Sequence, residues 1–180
     1  NQTHTLPSST LLKSERDLDK YHIQILRGDI TNPDEVPSFT DENQIFKIGI
    51  AVHLEEGKDV TIVATGHLVW EALQAAESLE AQGISAEVIN IHTIKPLDIE
   101  LLVTSVEKTG CIVSAEEHNY LGGLGESIAG ALASNHPTPQ EFVATKDTFG
   151  ESGTPAELMD KYGLNKISII AASKKVIERK

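Results

Sequence analysis

The sequence predicts an α/β fold, with a mainly parallel sheet in a three-layer α/β/α arrangement. Three short apolar runs, at residues 60–64, 86–91 and 111–115, are typical of strands buried on both faces. Apolar residues at helical spacing follow each run. Strands that alternate with helices indicate right-handed crossovers and a parallel sheet covered by helices on both sides.

The first 45 residues do not share this regular pattern. Residues 1–20 are polar and show no sustained period, whereas residues 21–26 alternate as a strand does. A stretch rich in Pro, Asp, Glu and Asn follows at 31–44 and predicts a linker on the surface. We therefore place a domain boundary here and expect residues 21–30 to belong to a preceding domain that is mostly missing.

A regular succession of strands and helices is predicted after the linker. Residues 46–54 predict a strand, and 142–144 predict a last short one. Between the strands, three helical faces are expected; they comprise Val69, Leu73, Ala76 and Leu79 or Glu80, then Ile99, Leu102, Val103 and Val106, and finally Ser127, Ile128, Ala131 and Leu132. Gly83 and Gly110 stand where glycines end helices.

The carboxy-terminal region is predicted to be helical. Thr154 and Glu157 form a capping box with Pro155 at the first helical position, and Gly163 ends that helix. A final amphipathic helix is predicted with one face formed by Ile167, Ile170, Ala171, Lys174 or Lys175, and Ile177.

Composition limits the classes of function. The 180 residues fit one domain, or one domain and a fragment of another. The net charge of −12 argues against a non-specific nucleic-acid surface, which needs clustered Lys and Arg. The single cysteine, Cys111, permits no internal disulfide, and no apolar run reaches the length of a membrane span. These features lead us to expect a soluble cytoplasmic protein without a signal peptide.

The glycine-rich turn at 122–125 is the first candidate for a binding site. It joins a strand to a helix, where backbone N–H groups can cradle an anion. The spacing is not that of a dinucleotide-binding turn, so Gly122 and Gly123 could instead serve close packing of the helix on the sheet. No Walker loop, nucleophile elbow or zinc motif is present.

A polar cluster, 116–119, follows the third apolar run, at the carboxyl end of the sheet. His118 beside Glu117 could be a polarised base or an anchor, but we favour a contact with a neighbouring domain. His67 and His92 also follow strands, yet their spacing fixes no metal geometry. Cys111 is expected to be an inert core residue and Trp70 a packing residue.

Several segments together resemble the carboxy-terminal domain of the transketolase family. The resemblance covers about residues 21–180. It is carried by 54–66, 83–90, 93–98, 116–118 with 122–125, and most specifically by 147–153 with 155–158 and 162–164.

The resemblance implies a function for the complete enzyme. Members of this family hold thiamine diphosphate and Mg²⁺ between a pyrophosphate-binding and a pyrimidine-binding domain. Transketolase transfers a two-carbon ketol unit from a ketose phosphate to an aldose phosphate in the pentose phosphate pathway, and it is a homodimer. The relatives deoxyxylulose-phosphate synthase and the β subunit of 2-oxoacid dehydrogenase E1 remain alternatives, as does a non-catalytic ligand-binding or interaction module with the same fold.

The resemblance also assigns domains and one site residue. Residues 1–30 would be a tail and the last strand of the pyrimidine-binding domain, 31–45 the linker, and 46–180 the carboxy-terminal domain. Arg27 matches the family position that binds substrate phosphate. The cofactor-activating glutamate and the Gly-Asp-Gly…Asn metal motif have no counterpart in this sequence. The resemblance therefore implies that this chain binds no cofactor by itself, contributes no catalytic residue, and depends on the missing domains.

Overall fold

The computed structural model describes residues 47–180 and contains five strands and five helices in that range. The predicted strand at 21–26, the linker at 31–44 and Arg27 lie outside the described residues. The strands are β1 (Val52–Glu55), β2 (Val60–Ala64), β3 (Ala86–Asn90), β4 (Ile112–Asn119) and β5 (Gln140–Thr145). The helices are α1 (Leu68–Glu80), α2 (Ile99–Thr109), α3 (Leu124–Asn135), α4 (Pro155–Lys161) and α5 (Lys166–Ile177).

The five strands form one sheet in the order β1-β3-β2-β4-β5. β2 pairs in parallel with both β3 and β4, and β4 pairs in parallel with β5. Only the short edge strand β1 is antiparallel. Every residue of β2 is buried, as a run of Val, Ile and Ala with a single Thr predicts for a central strand with helices on both faces.

The helices cover both faces of the sheet and confirm the three-layer α/β/α prediction. α1 and α5 pack together on one face, while α2 and α3 pack together on the other. The second face encloses a core built mainly of Val, Ile and Leu, formed by Val63, Ile89, Ile91, Leu102, Val106, Ile112, Leu124, Ile128 and Leu132. No helix within residues 47–180 is both long and apolar enough to cross a membrane.

Local signals in the sequence fix several helix ends. Asp98 caps α2 by accepting a hydrogen bond from the backbone N–H of Leu101, and Gly110 ends that helix at φ 76°. Thr154 and Glu157 form the predicted reciprocal capping box at the start of α4. The positions of these helices therefore follow from capping chemistry as well as from burial.

Two details of the prediction were wrong. The strand expected at 46–54 begins only at Val52, because Gly49, at φ 79°, turns the chain first. On α5 the buried residues are Ile169, Ser173 and Val176, whereas Ile167 is 70% exposed. The apolar residues of α5 lie on several of its sides, so their spacing alone did not identify the buried face.

Candidate functional site

The candidate site lies at the carboxyl edge of the sheet, where the parallel strands end. From β2 the chain crosses to β3 on one side and then to β4 on the other side of β2. The connections after β2 and β4 therefore diverge, and α/β proteins bind ligands at such a switch point. Gly66, with φ 59°, follows β2 here, and a Cβ built on it would lie 3.5 Å from Glu117 Oε1.

Glu116 lies within β4, not after it, because the strand continues four residues beyond the predicted apolar run. Its side chain is only 1% exposed and points to the start of α3. Each carboxylate oxygen accepts one backbone hydrogen bond at 2.8 Å, from Leu124 and from Gly125. A carboxylate at a helix N-terminus satisfies amides that lack partners and interacts favourably with the helix dipole.

The glycine turn is shaped around this carboxylate. A Cβ at Gly123 would lie 2.2 Å from Glu116 Oε2, so a larger residue cannot occupy this position without displacing the side chain. The N–H of Gly122 donates to Glu126 Oε2 at 2.7 Å. Three amide groups of the turn are thus already bonded to carboxylates of the same chain, which favours a packing role for the turn.

Glu117 and His118 are exposed at the end of β4. His118 Nδ1 lies 3.0 Å from the carbonyl oxygen of Asn119, so this nitrogen bonds to the backbone of its own segment. The Glu116 carboxylate bonds to the start of α3 instead. These bonds do not support a polarised histidine base between two carboxylates, and both exposed side chains are available to a neighbouring surface.

The three histidines at the strand ends do not form a metal site. The group of metal-ligand side chains that lie close together within residues 47–180 is a different one, comprising His53, Glu56 and Glu87. His92 bonds instead to the carbonyl oxygen of Ile50 at 2.9 Å. His67, His92 and His118 are not members of that group.

A lysine pairs with both carboxylates of the His53 group. Lys108 Nζ lies 2.8 Å from Glu87 Oε1 and 2.9 Å from Glu56 Oε2, and His53 Nε2 lies 2.7 Å from the same Glu87 oxygen. The hydrogen bond to Glu87, and then that to Glu56, raise the pKa of Lys108 above its ordinary value. Thr61 donates to the other Glu87 oxygen at 2.9 Å. This network ties α2 to the amino ends of β2 and β3.

Cys111 is buried and lies in the core, as predicted. Its thiol lies 3.4 Å from the carbonyl oxygen of Asp59. Burial raises the pKa of this thiol, which disfavours the reactive thiolate. Cys111 is therefore a packing residue.

A second loop, 146–153, meets the end of β4 at the same edge. Tyr120 N–H donates to the carbonyl oxygen of Thr145 at 3.1 Å, and Asn119 Nδ2 donates to Asp147 Oδ1 at 2.9 Å. Further along, the N–H of Glu151 donates to Tyr162 Oη at 3.0 Å. The end of β4 and the turn after it, 117–123, are thus joined to the loop 146–153, and this loop is joined to the end of α4. These two segments are called the edge loops below.

Comparison with known proteins identifies the fold family. The family described as the transketolase C-terminal domain matches residues 49–169, about two-thirds of the chain. The chain belongs to the transketolase C-terminal domain family. A solved structure of a split-gene transketolase, described as an inactive β4 tetramer, resembles this domain with a TM-score of 0.73 and 45% identity, over 79% of this chain and 47% of that one.

Curated relatives are transketolase subunits or sections. A 6-deoxy-6-sulfo-D-fructose transketolase subunit of Clostridium sp. is 49% identical over 77% of this chain and 43% of its own length. A putative transketolase C-terminal section of Methanocaldococcus jannaschii is 40% identical over 77% of this chain and 42% of its own. A 1-deoxy-D-xylulose-5-phosphate synthase and a pyruvate dehydrogenase E1 β subunit are also similar, at 37% and 41% identity. The chain spans less than half the length of the two transketolase relatives.

Sequence reasoning placed the polar cluster at the carboxyl edge of the sheet. It missed the structural roles of two buried glutamates, Glu116 at this edge and Glu87 near the amino end of β3. It treated Glu116 as part of a polar cluster, and burial of the strand did not separate Glu116 from Glu117, because Ser114 and Ala115, two residues before each, are both buried. It also overlooked Glu87, a single carboxylate inside an apolar run, which is 1% exposed and paired with Lys108. Substrate binding by Arg27 stays a prediction, because that residue lies outside the described part of the chain.

Proposed function

We propose that this chain is the carboxy-terminal part of a transketolase and acts only together with the cofactor-binding domains. The observation that carries the proposal is the 49% identity to a transketolase subunit over 77% of this chain, combined with coverage of only 43% of that subunit. The family domain found here would support the dimer and the architecture of the active site. The reaction would be transfer of a two-carbon ketol unit between phosphorylated sugars.

The division of the chain is part of this proposal. Residues 46–180 would form the carboxy-terminal domain, 31–45 the linker, and 1–30 a tail with the last strand of the pyrimidine-binding domain. Thiamine diphosphate would supply the stabilised carbanion, and Mg²⁺ would help to hold its diphosphate. Both would bind in the preceding domains of a homodimer. The lone buried thiol of Cys111 supports a cytoplasmic location, where disulfides are rare.

The edge loops are proposed to contact the neighbouring cofactor-binding domains. The exposed side chains of Glu117 and His118 and the exposed backbone of Gly122 support this role. Gly123 would contribute indirectly, because its lack of a side chain allows Glu116 to hold the loop. An anion at Gly122 or Gly123 is the less favoured alternative, since neighbouring amides of the turn already bond to Glu116 and Glu126.

Arg27 is proposed to bind the anionic end of the sugar substrate. A guanidinium group offers two parallel donors to a phosphate. The Clostridium relative is named for a sugar that carries a sulfonate, and a sulfonate offers similar oxygen acceptors. Donor assays should therefore compare a ketose phosphate with the corresponding sulfonate, which also tests whether this chain serves the pentose phosphate pathway.

Reconstitution tests the main proposal. We expect the chain alone to transfer no ketol group and to give no binding heat with thiamine diphosphate and Mg²⁺ in a calorimetric titration. Addition of the polypeptide that carries the upstream domains is expected to restore both binding and transfer. Stoichiometric cofactor binding by the chain alone, or a folded mixture without activity, would contradict the proposal, and the second result would favour a non-catalytic module.

A further inference from the structure

Three exposed apolar residues lie on the edge loops, namely Tyr120, Leu121 and Phe149, and are together called the patch below. The side chain of Phe149 is 99% exposed, and those of Tyr120 and Leu121 are 38% and 43% exposed. Phe149 belongs to segment 147–153, which carries the most specific part of the family resemblance and to which the proposed chemistry assigns no role. A fully exposed aromatic ring loses its contact with water only when another surface covers it.

The loop that carries Phe149 is held on both sides. Two residues before it, Asp147 accepts a hydrogen bond from Asn119 at 2.9 Å. Two residues after it, Glu151 donates its N–H to Tyr162 Oη at 3.0 Å, and its carboxylate pairs with Lys161. Tyr162 Oη also lies 3.4 Å from the carbonyl oxygen of Phe149. A ring presented by an anchored loop loses little conformational entropy on binding, so its burial contributes more to affinity.

The charge around the patch argues against a second copy of this chain as the covering surface. The edge loops and the start of α3 carry four exposed carboxylates against one exposed lysine, and the whole chain carries a net charge of −12; the carboxylates are those of Glu117, Glu126, Asp147 and Glu151, and the lysine is Lys146. Two identical surfaces would bring like charges together, which disfavours association. The patch instead fits a partner with an apolar pocket and a neutral or basic rim.

We propose that Phe149 is the anchor by which this domain docks on the cofactor-binding domains of the complete enzyme. The inference rests on the proposed function, because relatives at 49% and 40% identity extend well beyond the region that this chain covers. It goes further than the proposed function, because it names the residue that docks and the surface that covers it. Tyr120 and Leu121 form the apolar border of the contact, and the carboxylates around them set its charge.

Substitution of Phe149 tests the anchor in the complete enzyme. The chain is titrated against a fixed amount of the polypeptide that carries the upstream domains, and assembly is followed by ketol transfer and by sedimentation velocity. We expect Phe149→Ala to raise the concentration for half-maximal assembly at least tenfold, as truncation of a central aromatic anchor does. Because the ring is fully exposed, the variant should keep the wild-type unfolding curve.

Ile167→Ala is the matched control, since Ile167 is also an exposed apolar residue, at 70%, but lies on α5. It should change assembly less than twofold. If the wild type assembles and Phe149→Ala assembles equally well, the anchor is overturned while the proposed function stands. If the wild type does not assemble, the proposed function fails. If the chain alone self-associates and Phe149→Ala abolishes the self-association, a second copy of the chain covers the patch and our choice of partner is overturned.

Discussion

Glu116 and Gly123 fit each other at the scale of single atoms. The carboxylate of Glu116 occupies the position that an external anion would take at the start of α3, and the missing side chain of Gly123 leaves room for it. Burial of a carboxylate is unfavourable unless hydrogen bonds compensate it. Here two backbone donors do so, and the same bonds fasten β4 to α3.

We expect Glu116→Ala to lower the free energy of unfolding by about 3 kcal/mol, because it leaves two buried amide groups without an acceptor. Glu116→Gln keeps one of the two acceptor oxygens and should cost less, about 1–2 kcal/mol. Urea unfolding followed by circular dichroism measures both. Glu117→Gln is the control, since its exposed side chain should change stability by less than about 0.5 kcal/mol. Equal effects at both positions would contradict this role of Glu116.

Gly123→Ala tests the other half of the pair. The added Cβ would lie 2.2 Å from the Glu116 carboxylate, so we expect a loss of about 2 kcal/mol from overpacking. Gly130→Ala is the matched control on α3, because a Cβ there meets no atom within 4 Å. It should stabilise the protein by up to about 1 kcal/mol through helix propensity. A Gly123→Ala variant as stable as the wild type would show that Glu116 can move aside.

At the scale of elements, α5 is fastened to β5 by charged groups as well as by packing. Lys175 Nζ lies 2.8 Å from Glu141 Oε2, and Arg179 bonds to the other oxygen of the same carboxylate. The Glu141 side chain is only 17% exposed. Burial by itself raises the pKa of Glu141, but the hydrogen bonds from Lys175 and Arg179 outweigh it, so the net pKa lies below the ordinary 4.5.

This arrangement predicts a contribution to stability that depends on pH. Because the pKa of Glu141 is lower in the folded protein than in the unfolded chain, its ionised form stabilises the fold. This stabilisation is complete above the pKa in the unfolded chain and is lost as the pH falls through the pKa in the folded protein. We expect Glu141→Gln to cost about 1 kcal/mol at pH 7 and progressively less below about pH 4.5. Urea unfolding at a series of pH values measures the difference from the wild type.

A double-mutant cycle isolates this charged contact. In a Lys175→Ala/Arg179→Ala background, Glu141→Gln should have little further effect, because both cationic partners are gone. A cost of Glu141→Gln that is the same at pH 7 and pH 3, or unchanged in that background, would mean that packing and not charge fastens α5 to β5.

At the scale of the whole molecule, residues 47–180 form a domain of the transketolase C-terminal family, and we propose that its sheet edge contacts neighbouring domains. The sheet edge carries the joined edge loops, whereas the charged network around Glu87 lies at the amino-terminal half of the sheet and serves stability. No described residue is assigned to the chemistry. The domain is therefore expected to act by positioning the rest of the enzyme.

Arg27→Ala belongs to this scale, because it can be tested only in the complete enzyme. We expect a rise in KM of at least tenfold for a phosphorylated donor, since a bidentate contact to the phosphate is lost. Arg27→Lys keeps the charge without the paired donors and should give an intermediate KM. Steady-state kinetics with saturating cofactor measure both variants. A KM equal to that of the wild type would exclude Arg27 from the substrate site.

The sequence by itself determined the fold class, several helix ends and the family. Apolar runs such as 60–64 can be satisfied only in the centre of a covered sheet, and capping residues such as Thr154 act through neighbours three residues away. These signals are local, or they depend on periodicity, and so they can be read from one chain. The alternation of strands and helices also predicted that the polar cluster 116–119 lies at the carboxyl edge of the sheet.

Only the tertiary structure decided how distant side chains pair. The bonds of Glu116 to α3, of Glu87 to Lys108 and of Asn119 to Asp147 join residues 8, 21 and 28 positions apart. The buried face of α5 also depended on its partners, since Ile167 and Ile169 are chemically alike but only one meets α1 and the sheet. Pairing across the fold depends on geometry in three dimensions, which neither spacing nor composition encodes.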